Sequence, residues 1–178
     1  MTTPFARHGI VGFAVRFIVV FAVLLGGFEA LRGTTVERTL IEDGLLAPTT
    51  WIAQHLSPGE PIRQVGRAIE SPRSRLNVIR GCEGIETLLL LVAAVIAYPA
   101  SWAARGKGLF VGGVLAYVLS VARLVALHMA LRHSPQAWEA LHGLVLPLVP
   151  IVLVSWYFLH WSALQPRSAA TAAASNAS

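Results

Sequence analysis

One cysteine, one lysine and one aspartate are all that 178 residues contain of those three types, and each scarcity excludes a chemistry. A single cysteine rules out a disulfide framework, a paired-cysteine redox motif and a cysteine-based structural zinc site. With Asp43 as the sole aspartate, an intramembrane aspartyl dyad cannot be built. No HExxH sequence is present for a zinc protease, and no GxSxG nucleophile turn. Charged residues make up 13% of the chain, against about 25% in an ordinary soluble domain. That shortfall excludes both a water-soluble domain and a disordered chain. The balance is basic, at +5, but the arginines are scattered and form no stripe interleaved with aromatics, so nucleic acid is not an expected partner. What the chain does contain is apolar residues, 55% of the total, in blocks too long for a soluble core. It is a membrane protein.

A membrane span needs about 20 mostly apolar residues, and four windows qualify: about 10–31, 85–104, 108–131 and 141–164. The first follows Arg7 and His8, lacks a small-residue cleavage site and reads as an anchor, not as a removable signal. Tyr98 and Pro99 bend the end of the second, and Pro147 and Pro150 kink the fourth. The expected fold is an all-α membrane protein, a four-helix transmembrane bundle forming a single domain over residues 1–167. A polar Ala/Ser tail over 168–178 reads as disordered.

Residues 32–81, between the first two spans, form an insert. Thr34 or Thr35 is positioned to cap a short amphipathic helix with Val36, Leu40 and Ile41 on one side, continued by Leu45 and Leu46 and ended by Pro48. Trp51, Ile52 and Leu56 continue an apolar edge suited to the membrane surface. Ser57, Pro58 and Gly59 make a turn. Alternation then runs through Val65, Arg67 and Ile69 and resumes at Leu76, Val78 and Arg80 after a break at Ser71 to Ser74, which predicts a β-hairpin.

Parity of four spans sets relative sidedness. Cys82 precedes the second span, Arg123 lies about eight residues (roughly 12 Å) before the third ends, and His142 opens the fourth. All three fall toward one membrane face. Which face is not decided by charge: the short loop Arg105, Gly106, Lys107 favours the cytoplasm, Arg132 is balanced by Glu139 opposite, and seven arginines in the long insert argue the other way.

Each of the three residues has two readings. Cys82 is either a small buried hydrophobe or a nucleophile, activated at a helix N-terminus between two glycines with Arg80 and Glu83 nearby. Arg123 is a snorkelling or structural partner for Glu86 or Glu29, or a functional group, because a membrane-embedded arginine costs on the order of 2.5–3.5 kcal/mol. His142 is a helix-end anchor or a base, with His128 and His133 as competitors for that role. Together a thiolate, an imidazole and a guanidinium suffice for acyl transfer. The alternative is a non-catalytic membrane scaffold or a small transport subunit.

The segment Arg80, Gly81, Cys82, Glu83, Gly84, Ile85, Glu86, the apolar run to Tyr98, Pro99 and Ala100, Arg123 late in the next span, and His142 opening the last resemble the exosortase/archaeosortase family. The short length and four spans are most like its exosortase H branch, and the resemblance covers about residues 65–161. It implies an integral-membrane cysteine protease or transpeptidase with Cys82, Arg123 and His142 as the catalytic set, using no cofactor and no metal. It also implies membrane-anchored precursor partners bearing a C-terminal sorting signal: a short motif, a transmembrane helix and a basic tail. The implied location is the bacterial inner membrane, multi-pass, with the site on the extracytoplasmic side. Two positions depart from the family pattern. Ser120 stands where Asn is usual, three residues before the arginine, and Glu83 stands where Asn or Ser often follows the cysteine. A carboxylate beside the thiol opposes its ionisation, so a compensating cation is expected, Arg123 or Arg80.

Overall fold

The computed structural model describes residues 4–78, 81, 83–133 and 141–165. Its first helix, α1 (Pro4–Ala30), is apolar over Ile10–Ala30 and leaves that stretch unburied, as a lipid-facing helix does. It lies along α4 (Ile85–Ala97), and the Phe13 ring sits 6.3 Å from Tyr98 and 6.2 Å from Phe158. Gly33, at φ +75°, turns the chain out of α1, a conformation that glycine adopts without steric cost.

Thr34 then caps α2 (Thr35–Arg38), its hydroxyl accepting the Glu37 N–H, so the predicted start of the insert helix holds. Its predicted end at Pro48 does not. The helix passes through a π-helical stretch (Thr39–Leu46) into α3 (Ala47–Leu56) without stopping. Proline removes a donor and would leave a carbonyl one turn back unpaired. Here the Gly44 carbonyl accepts from the Tyr117 hydroxyl at 2.8 Å, and the neighbouring Leu45 carbonyl accepts from Thr49 Oγ1 at 2.7 Å. The Tyr117 hydroxyl, from α5, replaces the missing donor. Ile41 is buried as expected, whereas Val36 and Leu40 are exposed.

The predicted hairpin is a three-stranded antiparallel sheet, β1 (Arg63–Val65), β2 (Ala68–Ser71) and β3 (Ser74–Asn77), in that order. Ile69 pairs with Gln64 on one side and Leu76 on the other. The alternation at Val65, Arg67 and Ile69 therefore spans a turn, made by Gly66 at φ +57°, and Arg67 belongs to that turn. Arg80 lies outside the described residues, as does the tail from 168.

Three described helices are long and apolar enough to cross a membrane: Ile10–Ala30, Trp102–Arg132 and Leu146–Ala163. The second predicted span, 85–104, is divided. The 13-residue α4 ends at Ala97, where Tyr98 takes an extended backbone ahead of Pro99, and residues 102–104 open α5 (Trp102–His133). A π-helical turn (Leu141–Val145) leads into α6 (Leu146–Ala163).

α5 is covered by different partners along its length. Lower down, Ala116 packs with Leu91 and Val95 of α4 and Val154 and Trp161 of α6. There Gly112 admits Leu91 and Tyr157, either of which a Cβ would meet at 2.6 Å. Further on, Val121, Leu124 and Val125 pack with Ile41, Leu45, Leu46 and Val78 of the insert. Ala53, Ile62 and Ile69 form a third cluster against Met129.

Candidate functional site

The segment before α4 is shaped by two left-handed glycines, Gly81 at φ +81° and Gly84 at φ +78°. At Gly84 the glycine is required twice over. The backbone is left-handed, and a side chain would overlap the Ser120 hydroxyl. Gly84 is thus seated directly on α5, one helical turn before Arg123. Ser120 donates its own hydroxyl to the Ala116 carbonyl at 2.9 Å, which fixes the surface on which Gly84 rests. Cys82 lies outside the described residues; its chain neighbours Gly81 and Glu83 are described.

Glu83 is 2% exposed. A carboxylate this deep needs a partner, and its partner is Arg67, from the turn between β1 and β2. Of the two cations expected from the sequence, Arg123 makes no described ion pair with Glu83, and Arg80 lies outside the described residues. Arg67 also reaches Glu37 Oε1 at 3.0 Å, and Glu37 Oε2 accepts the Gly33 N–H at 2.7 Å. A continuous chain of contacts therefore runs from the end of α1, through the insert, to the residue that follows Cys82. Burial raises the Glu83 carboxyl above its ordinary value, and the Arg67 guanidinium pulls the other way. Glu37 moves down, chiefly because the Gly33 N–H favours its ionised form, with Arg67 adding to that.

Arg123 is 7% exposed, and among the described residues its Nε has no hydrogen-bond partner. It pairs with neither acid considered from the sequence, because Glu29 takes Arg32 at 2.7 Å and no described ion pair joins Glu86 to Arg123. A buried guanidinium without a counter-ion is expensive and is poised to receive an oxygen carrying negative charge. His128, weighed as a base, is fully buried with both ring nitrogens unpartnered among the described residues; an imidazole sealed in this way does not meet a substrate. The side chain of His133, the other competitor, lies outside the described residues. His142 is half-buried in its π-helical turn, which packs against α5. The structure thus brings Glu83 and Gly84 onto the α5 face that carries Ser120 and Arg123, and sets the turn bearing His142 against the same helix.

A second group of charges holds the far edge of the insert. Arg132 reaches Glu60 at 2.5 Å and donates to Ser57, and Arg73 meets Glu60 at 3.0 Å. Between α1, the insert helix, α4 and α5 lies a cleft of about 380 Å³ whose lining includes Phe28, Leu40, Leu88, Tyr117, Ser120 and Glu83. Among the described residues, no cluster of three His, Cys, Asp or Glu side chains is arranged to hold a metal ion.

Sequence reasoning missed Arg67 and Glu37. The usable signal was the demand for a cation beside Glu83, but it names a charge and not its position in the chain. A family model described as transmembrane exosortase (Exosortase_EpsH) matches residues 10–156. No curated protein matches the chain, and no solved structure does.

Proposed function

Because the chain belongs to the transmembrane exosortase family, we propose that it is a membrane-embedded cysteine peptidase or transpeptidase acting on precursors that carry a C-terminal sorting signal. In this reading four segments cross the bacterial inner membrane, with α4 and its extended continuation as the second, and the site faces the extracytoplasmic side. One observation carries the reading: the residues after Cys82 are seated on α5 at Ser120, one turn before a buried arginine that has no ion pair among the described residues.

The chemistry assigns a role to each residue. His142 takes the Cys82 proton, and the thiolate attacks the scissile carbonyl. Arg123 stabilises the oxygen as it gains charge, in a setting where water is largely excluded. The C–N bond breaks, His142 returns the proton to the leaving amine, and an acyl thioester on Cys82 remains. Water or an amine then releases the acyl group.

The test is a precursor bearing such a signal, coexpressed with wild-type protein or with Cys82→Ala. Wild type is expected to yield the shortened product. The variant is expected to accumulate in the membrane to a similar level and yield none. Processing by Cys82→Ala would show that the nucleophile is wrongly assigned, and a scaffold reading would then take precedence.

A further inference from the structure

Glu83 uses only half of its carboxylate. Oε1 meets Arg67, while Oε2, buried, has no hydrogen-bond partner among the described residues. The same side chain lines the cleft between α1, the insert helix, α4 and α5, whose other lining groups are apolar apart from Ser120 and the Tyr117 hydroxyl. That hydroxyl is already given to the Gly44 carbonyl.

Among the described ion pairs, acids outnumber cations around Arg67. Glu37 and Glu83 share a single guanidinium, that of Arg67. The nearby Arg32 is engaged by Glu29 at 2.7 Å, and Glu86, on α4, adds a further acid. Among the described ion pairs two carboxylates thus meet one cation, and Glu83 Oε2 lies beside an apolar cavity without a donor. A buried acceptor without a donor costs about 1–3 kcal/mol, more when it is charged, so the ligand that fits is one that brings a cation on an apolar body.

We propose that this cleft binds a primary ammonium group carried on an apolar chain, with the ammonium on Glu83 Oε2 and the chain against Phe28, Leu40 and Leu88. Resting on the peptidase reading, the ligand is the acceptor, and transfer competes with hydrolysis at this site. Glu83 takes one proton from the ammonium to give the free amine. The amine nitrogen then forms an amide with the acyl carbon as the C–S bond breaks, and its second proton goes to the departing Cys82 thiolate.

Octylamine, with octanol as its uncharged match, tests the site in purified full-length protein by the ligand-dependent rise in unfolding temperature. Wild type is expected to bind octylamine at least tenfold more tightly than octanol, and Glu83→Gln is expected to lose that preference. Leu40→Trp fills the cleft while leaving Glu83 and Arg67 in place, and is expected to weaken octylamine binding at least tenfold even if Glu83→Gln fails to fold. Equal binding of amine and alcohol by wild type, or unaltered octylamine binding by either folded variant, overturns the proposal. The same titration on Cys82→Ala separates the two readings. Glu83-dependent binding with cleavage persisting in Cys82→Ala sinks the peptidase and keeps the site, whereas loss of cleavage with no amine preference does the reverse. A product carrying phosphatidylethanolamine, from vesicles containing it, identifies a lipid headgroup as the source. A product carrying the amine of an added lysine peptide identifies a protein source. Octylamide on the product supports the proposal, and a product ending only in a free carboxylate overturns it.

Discussion

The two stretches of α5 are the same kind of helix in different company. Up to Ser120 it packs against α4 and α6 through Ala116, Leu91, Val95, Val154 and Trp161, and its close approaches are glycine to side chain, at Gly108 and Gly112. Beyond Ser120 it is wrapped by the insert, and there the buried polar groups gather: Arg123 and His128 on the helix itself, with Glu37 and Glu83 joined to each other through Arg67 of the insert. The helix is 32 residues long, about 48 Å at 1.5 Å per residue, well over the roughly 30 Å of a hydrocarbon core. One stretch therefore solves a packing problem in lipid. The other stretch carries charge where the insert packs over it; there Arg67 pairs with Glu37 and Glu83, while Arg123 has no ion pair among the described residues.

If that division holds, substitutions in the two stretches fail in different ways. The largest effect is expected at Arg123→Ala. Removing one oxyanion donor costs about 10²–10³-fold in rate, so precursor processing at matched membrane abundance should fall by that factor. The unfolding temperature should not fall, because the deleted charge has no counter-ion among the described residues to strand. A marked loss of stability would mean that Arg123 is structural and the contrast is misplaced. Next comes Gly112→Ala, in the lipid-embedded stretch. Its new Cβ would lie 2.6 Å from Leu91 and Tyr157, and overpacking of this kind costs about 1–3 kcal/mol. Reversible unfolding should show that loss, while activity per folded molecule stays near wild type; a selective loss of turnover would break the comparison.

The smallest expected effect is electrostatic and belongs to Glu37. Its folded-state value lies below the ordinary 4.5, so the unfolded chain binds its proton more readily than the native one. The stabilisation is complete above that ordinary value and is lost as pH falls through the lower, folded one. Unfolding temperatures of wild type and Glu37→Gln should accordingly differ at neutral pH and converge in acid. A gap that widened in acid would reverse the sign assigned to the Gly33 contact.

Much of this was legible in the residues because it depends on local pattern. Apolar windows locate α1, α5 and α6, Thr34 marks the start of the insert helix, and the two glycines around Cys82 mark a special backbone. What was not legible depends on contacts between distant segments. Pro48 reads as a stop until Tyr117, 69 positions later, replaces the hydrogen bond that proline forfeits. The pairing of Arg67 with Glu83 has no period or spacing to announce it. Alternation through Val65 and Ile69 hides a turn because Gly66 sits at the point where a continuous strand would also keep the pattern. Tyr98 and Pro99 were legible as a bend in the second span, but not as the end of α4, because apolar residues continue past them and hydropathy is indifferent to backbone conformation.

The seating of Gly84 on Ser120 has one more consequence. With no Cβ on one side and only a hydroxymethyl group on the other, the two backbones approach to the limit that those atoms permit. The height of the segment that follows Cys82 above the helix is then governed like a shim under a bearing, by the girth of whatever stands at position 120. A bulkier residue there would push Gly84, and Glu83 with it, off the α5 surface. Enlarging or trimming that single side chain is therefore a dial for how far Gly84 stands from α5.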